Sequence, residues 1–338
     1  MREGYNPHKD QKLEETSFTH QVVLPVYIPF LEEYYKDALE ILQNCLNSLF
    51  QTVHSKTFIT VVNNGSCLQV TEYLDALFTE NKIHELIHSE NIGKLNAILK
   101  GLTGNNIELV TISDADVLFG NNWQAETVAV FNNFNKAGVV GLVPQFKMFE
   151  SNCGNILFDN FFSSKMKFSK VINREALVRF YESLGWDKNY NQDYLKQYLT
   201  ISNNNCKALV GTGHFVATYK RELFNEIITY IGYKMGANSE SYLDNTPLQK
   251  GLWRLTTTNN FAYHMGNVVE RWMKDELQKL KKKSDLIPVL SNQRVHKKIS
   301  SLQFFIKNKL FYKSFSNKQL KKLFYKMKKL PKEMISNY

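Results

Sequence analysis

The chain has 338 residues, 43% hydrophobic, 13% aromatic and 22% charged, which supplies a sizeable core and excludes a generally disordered chain. Its length allows about two domains or one large one. The net charge of +10 is uneven: residues 271–338 hold 19 Lys and Arg against 4 acids, a net +15, so residues 1–270 carry −5. A mildly acidic body with a strongly basic tail points to an anionic partner, a membrane surface or a nucleic acid. Cys45, Cys67, Cys153 and Cys206 lie far apart with no C-x-x-C pair. They support neither a zinc site nor a disulfide framework and predict idle thiols in a reducing compartment. Residues 1–19 read as a polar extension without the apolar stretch of a signal peptide, and no run of about 18 apolar residues predicts a membrane span.

In chain order, residues 21–27 (Gln-Val-Val-Leu-Pro-Val-Tyr) predict a buried strand that turns at Ile28-Pro29. Ala38, Ile41, Leu42, Cys45, Leu46 and Leu49 recur at helical spacing within 33–50. The run Phe58-Ile59-Thr60-Val61-Val62 predicts a strand stopped by Asn63-Asn64-Gly65-Ser66. A helix is expected around 69–79, a short strand near 84–87, and a helix opened by Asn91-Ile92-Gly93 and running to Leu102. Glu108 to Ile112 predict a fourth strand that ends in Ser113-Asp114-Ala115-Asp116; a helix over about 122–134 then leads to a strand at 138–143. Strands alternating with helices imply a doubly wound, mostly parallel α/β sheet with helices on both faces. Ligands bind such sheets beyond the carboxyl ends of the strands. That topology gathers the polar turns at Tyr27, Asn63 to Ser66 and Asp114 to Asp116 on one edge.

Beyond residue 150 the pattern loosens into Asn, Phe and Ser. Strands are expected at 207–210, 214–219, 252–256 and 261–264, and helices from near Arg221 and over 239–250. The second of these helices puts Glu240 and Asp244 one turn apart on one face. The tail carries two basic amphipathic segments: Ile299, Leu302, Phe305, Ile306 and Leu310, then Leu320, Leu323, Phe324, Met327 and Leu330, with lysines between them.

Asp114 and Asp116, one residue apart behind a hydrophobic strand, cannot both be buried unpaired, because an ionised carboxylate is costly to desolvate. A hard divalent ion satisfies them, and Mg²⁺ or Mn²⁺ suits a site that also takes a diphosphate.

The ordered set Leu24-Pro25-Val26-Tyr27, Val61 to Ser66, Glu90-Asn91-Ile92-Gly93-Lys94 and Ser113 to Asp116 resembles glycosyltransferase family 2, with its GT-A fold. Gly211 to Ala217 before Lys220-Arg221-Glu222-Leu223-Phe224, Glu240, and Ala262-Tyr263-His264 extend the resemblance over roughly residues 20–266. It implies a catalytic domain over 20–266, with a nucleotide-sugar half at 20–118 and an acceptor half at 119–266, followed by a helical basic tail at 267–338.

The resemblance further implies that Val26, Tyr27, Asn63 and Asn64 cradle the base, Asp114 binds the ribose side of the donor and Lys94 lies near the phosphates. Asp116, with Asp114 and His264, would hold Mn²⁺ or Mg²⁺. Glu240 matches the general base, with Asp244 a rival one turn on. The family usually has an Asp in the turn after its second strand, where this chain has two Asn, and an acidic pair at the base, where Ser239 precedes Glu240. The function implied is inverting sugar transfer from a nucleotide-diphosphate donor to a saccharide or lipid-linked acceptor, in bacterial surface-polysaccharide biosynthesis.

Two other readings stand beside this one. A sugar-nucleotide nucleotidyltransferase would need a Gly-rich loop with a basic residue after the first strand, and Leu24 to Leu31 has neither. A non-enzymatic nucleic-acid-binding protein with a basic arm would not need the aspartate pair, and the −5 body argues against a nucleic-acid groove. The tail's lysines and apolar spacing therefore favour an anionic membrane, at the inner face of the plasma membrane, and no nucleic acid.

Overall fold

The computed structural model describes residues 4 and 9–338, apart from 204, 227, 236, 282–285 and 292–294. The first half alternates β1 (His20–Val26), α1 (Ala38–Thr52), β2 (Thr57–Asn64), α2 (Leu68–Thr79), β3 (Glu85–Ser89), α3 (Lys94–Leu102) and β4 (Leu109–Ser113). Then come β5 (Val117–Phe119), α4 (Trp123–Asn133) and β6 (Ala137–Gly141). The pairings of β1 with β2 and β4, and of β2 with β3, are parallel.

Period-2 geometry divides β1 between two cores. Val22, Leu24 and Val26 pack with Ile41, Leu42, Cys45, Leu46 and Leu49 of α1. Val23 points the other way, against Leu95, Ile98 and Leu102 of α3. Gly101 lets α3 come close, since a Cβ there would lie 2.7 Å from Val23 Cγ1.

Residues 151–205, irregular by their sequence, form α5 (Gly154–Asn160), β7 (Met166–Lys170), α6 (Arg174–Ser183) and β8 (Gln197–Asn203). β9 (Cys206–Val210), β10 (Val216–Lys220), α7 (Ala237–Gln249), β11 (Trp253–Thr257) and β12 (Ala262–His264) follow. Ten strands make one sheet in the order β3-β2-β1-β4-β10-β6-β11-β9-β8-β7. Antiparallel pairing turns β10, β9 and β7 against the other seven strands, so the sheet is mixed but mostly parallel in direction. The helix expected from near Arg221 is only a 3₁₀ turn, Arg221–Phe224, so that expectation is corrected. All four cysteines are free.

The tail holds α8 (Arg271–Gln278), α9 (Ser301–Phe305), α10 (Phe311–Phe315), joined to α9 by a π turn, and α11 (Lys318–Met327). It packs on the body. Phe315, Phe324, Tyr325, Leu330, Met334 and Tyr338 are buried in one cluster with Phe149, Phe168 and Leu199. Lys328 is buried too, and its Nζ donates to the carbonyls of Asn160 and Ser163 at 2.9 and 2.7 Å. Leu302, Phe305, Leu310, Leu323 and Met327 remain exposed. Among the described residues no helix is long and apolar enough to cross a membrane.

Candidate functional site

The carboxyl ends of β1, β2 and β4 open on a cavity of about 460 Å³, lined by Tyr27, Asn64, Asn91, Lys94, Asp114 and Asp116 among others. The three polar turns therefore meet where the topology places them. Val26 has a buried side chain and lines the cavity beside Tyr27, whose exposed ring meets Tyr35 edge-on at 6.5 Å. Asn64 ties this turn to the segment that opens α3, because its Oδ1 accepts from the Ile92 amide at 2.9 Å.

Asn63 does not reach the cavity. It is buried, its Nδ2 donates to Thr71 Oγ1 at 2.9 Å and lies 3.1 Å from His88 Nδ1, and its Oδ1 accepts from the Ser66 amide at 3.0 Å. With its amide used in shaping the turn, Asn63 is placed as a support for Asn64.

Gly93 opens α3 with φ of +88°, and a Cβ there would meet the Tyr233 carbonyl oxygen at 2.8 Å. A glycine is required at this left-handed, crowded position. The adjoining Lys94 amide donates to the Lys234 carbonyl at 2.9 Å, which holds Lys234 and Met235 against the cavity they help line. Lys94 Nζ then lies 2.6 Å from Asp114 Oδ1 and 3.9 Å from Glu240 Oε1. Burial alone would push the Lys94 ammonium down, but Asp114 outweighs it and the pKa is raised.

β5 and β12 form a separate two-stranded sheet in which His264 pairs with Val117. The Met265 amide donates to the Asp116 carbonyl at 2.8 Å. This pairing puts His264 Nε2 3.3 Å from Asp116 Oδ2, joining residues far apart in sequence. Among the described residues, no hydrogen-bond partner is found for the buried Asp116 Oδ1. Burial pushes the Asp116 carboxyl above its ordinary range and Asp114 adds to this, while His264 and Lys94 oppose it.

The two acidic residues of α7 separate in role. Glu240 Oε2 accepts from His214 Nε2 at 2.8 Å. Asp244 Oδ1 is paired with Arg254, a β11 residue buried at 3% exposure, and its Oδ2 accepts from Asn152 Nδ2 at 3.0 Å. Arg254 also donates from Nη2 to the Thr212 carbonyl at 2.6 Å. Asp244 thus neutralises a buried guanidinium, whereas Glu240 lies beside His214 and 3.9 Å from Lys94, which lines the cavity. The hydrogen bond from His214 holds the Glu240 carboxyl below its usual range, against the effect of burial, and the same bond raises His214.

Sequence reasoning missed His214 as a partner of Glu240, Arg254 and Ser183. Arg254 was discoverable, since a charged residue inside a strand of a buried sheet demands a counter-charge. His214 and Ser183 carry no local signal.

A sequence profile described as Glycosyl transferase family 2 matches residues 26–227. No curated protein matches the chain. Among solved structures, residues 1–349 of S. aureus TarS are 12% identical over 73% of this chain and 60% of that one, with a TM-score of 0.43. This chain thus spans about three fifths of that fragment. The mannosyltransferase PcManGT from Pyrobaculum calidifontis, solved with GDP-Man and Mn²⁺, is 15% identical over 93% of this chain and 74% of that one, with a TM-score of 0.44. GalNAc-T7, solved with UDP, GalNAc and Mn²⁺, is 13% identical over 75% and 45%, with a TM-score of 0.45.

Proposed function

The chain belongs to glycosyl transferase family 2, and we propose that it transfers a sugar, with inversion, from a nucleoside-diphosphate donor to the hydroxyl of a saccharide or lipid-linked acceptor. The observation that carries this reading is the cavity lined by Lys94, Asp114 and Asp116, with His264 Nε2 3.3 Å from Asp116 and Glu240 3.9 Å from Lys94.

The residues fit a divalent ion. Asp116 offers a buried oxygen with no hydrogen-bond partner among the described residues, and His264 adds an imidazole. An Asp–His donor set suits Mn²⁺ better than Mg²⁺, which prefers oxygen ligands throughout. Among the described residues no group of three protein ligands converges, so donor phosphates would complete the shell. When bound, such an ion supplies counter-charge to the departing diphosphate.

The chain's own groups account for the remaining chemistry. Tyr27, Val26 and Asn64 form the base end of the cavity, and Asp114 takes the ribose side with Lys94 holding it in place. Glu240, kept ionised by His214, accepts the proton of the acceptor hydroxyl as that oxygen bonds to the anomeric carbon. The bond from that carbon to the phosphate oxygen breaks, and the electron pair leaves with the nucleoside diphosphate. Attack from the face opposite the leaving group inverts the anomeric centre. Asp244, committed to Arg254, is left out of the proton transfer.

We further propose an anionic bilayer as the partner of the tail, at the inner face of the plasma membrane, and surface-polysaccharide synthesis as the setting. Leu323 and Met327 are exposed on α11 among exposed Lys322, Lys326 and Lys329, and Leu302, Phe305 and Leu310 lie exposed near Lys309 and Lys313. Apolar groups that insert at headgroup depth beside lysines match an anionic lipid surface.

A screen of nucleotide sugars for thermal stabilisation, with and without Mn²⁺, tests the donor reading. One donor should raise the melting temperature in a Mn²⁺-dependent way. No stabilisation by any nucleotide sugar under either condition would sink it.

A further inference from the structure

One hydrogen bond behind His264 has a consequence for the proposed metal site. Ser183, the last residue of α6, donates its hydroxyl proton to the Phe180 carbonyl at 2.7 Å. The same oxygen lies 2.8 Å from His264 Nδ1. A serine hydroxyl has one proton to give. With that proton committed to Phe180, Ser183 can only accept from His264, so the ring hydrogen sits on Nδ1. Nε2 of the neutral imidazole is then a bare lone pair, and it faces Asp116 Oδ2 at 3.3 Å. A lone pair and a carboxylate held face to face repel each other unless a proton or a metal cation lies between them.

The surroundings keep this arrangement in place. The rings of Phe215 and Phe180 pack edge-on against the His264 ring, with centroids 5.4 and 6.1 Å away. Gly266, at φ +70°, lets the chain after β12 pass α6 closely, since a Cβ there would lie 2.9 Å from the Ser183 carbonyl oxygen.

We propose that Ser183 is a positioning residue for the metal site: by fixing the Nδ1–H tautomer it aims the His264 Nε2 lone pair at the ion held by Asp116. This rests on the metal reading given under Proposed function. Groups behind a metal-bound histidine set its tautomer and ring orientation, and losing them typically costs 10- to 100-fold in metal affinity. Ser183 comes from α6, in the stretch whose sequence pattern is loosest.

The test is Mn²⁺ binding to the full-length chain, followed by electron paramagnetic resonance of the free ion in the presence of UDP and, separately, GDP. Ser183→Ala should weaken Mn²⁺ binding about 10- to 100-fold with little change in melting temperature, and Ser183→Thr, which restores a hydroxyl, should recover it. Nitrogen-15 shifts of His264 in the metal-free wild type should report the Nδ1–H tautomer. Wild-type Mn²⁺ binding that Ser183→Ala leaves unchanged would overturn the role of Ser183 alone, as would an Nε2–H tautomer in the wild type. Absence of Mn²⁺ binding by the wild type with either nucleotide would remove the metal reading, and this inference with it.

Discussion

Nε2 of His214 lies 2.8 Å from Oε2 of Glu240, while one turn further along the same helix Asp244 is paired with the buried Arg254. Two carboxylates that the sequence leaves as rivals therefore have different close partners, although His214 Nδ1 also lies 4.0 Å from Asp244 Oδ1. Glu240→Gln should cut turnover about 10²–10⁴-fold with little change in donor affinity, as expected for loss of a general base. Asp244→Asn should instead lower stability, because it strips the counter-charge from a buried guanidinium; breaking such a pair typically costs about 3–5 kcal/mol. Steady-state kinetics with urea unfolding separates the two, and a larger turnover loss in Asp244→Asn than in Glu240→Gln would reverse the assignment.

The same pair sets the acid side of the pH profile. His214 holds the Glu240 carboxyl below the usual glutamate range by its hydrogen bond. An ionised Glu240 thus persists to lower pH than an isolated glutamate would allow, and if it is the base, turnover should fall only below that range. Removing the bond with His214→Ala should raise the Glu240 pKa and move the acid limb of kcat upward. An acid limb at the same pH in both proteins would show that this hydrogen bond does not set the ionisation of the base.

The metal prediction concerns the orphaned oxygen. Asp116→Asn keeps the shape but removes the charge facing His264 Nε2. Transfer should fall to background, and EDTA should do the same to the wild type, since the diphosphate leaves without counter-charge. Activity that survives both treatments contradicts a metal mechanism.

Acid stability depends on a different histidine. His20 lies in the sheet core, its Nε2 2.7 Å from Thr111 Oγ1, and Thr111 Oγ1 is 2.7 Å from Thr218 Oγ1. Burial, with a smaller contribution from His54, lowers its pKa from 6.5 to about 3. The folded state holds His20 neutral while the unfolded chain protonates it below pH 6.5, so the unfolded state binds the extra proton. Stability is thus fully present above that pH and falls between 6.5 and 3, by roughly 3 kcal/mol at pH 4 from this one group. His54, lowered to about 4 by burial, adds a loss in the same direction. Replacing His20 with Gln should flatten the dependence of urea midpoint on pH below 6.5; an unaltered slope would assign the acid sensitivity elsewhere.

How much of this was legible in the sequence depends on whether the signal was local. β1, β2 and β4 announce themselves because each is a short apolar run ended by a polar turn, and those turns carry Tyr27, Asn64 and Asp114. Their meeting at one edge follows from parallel topology alone. β7 and β8 do not stand out, because β7 is an edge strand with only Met166 and Phe168 buried, in a segment otherwise rich in Asn and Ser. The ties of His264 to Ser183, of Glu240 to His214 and of Asp244 to Arg254 are long-range or cross-element, and spacing within one segment does not encode them. Asn63 shows the converse: its residue type suits base recognition, but its amide is spent on Ser66, Thr71 and His88.

The tail combines both situations, and its test has to respect them. A basic amphipathic segment suggests a detachable helix lying on a membrane, which truncation would remove without harm. The structure instead sinks Phe315, Phe324, Tyr325 and Leu330 into the core shared with Phe149 and Phe168. Each such side chain contributes about 1.5–3 kcal/mol when fully buried, so deleting residues from about 301 onward should expose an apolar surface and destabilise the body. Truncation therefore cannot isolate membrane binding. Leu323→Ser with Met327→Ser can, because both residues are exposed and face away from the buried side of α11. This double variant should keep the wild-type melting temperature and donor binding yet float less with anionic vesicles. Lys322→Glu with Lys326→Glu should weaken flotation further at low salt, since each lysine near an anionic surface contributes about 1 kcal/mol that salt screens. Equal flotation of wild type and both variants at low salt would mean that this face does not meet the bilayer, leaving the tail as packing for the fold alone.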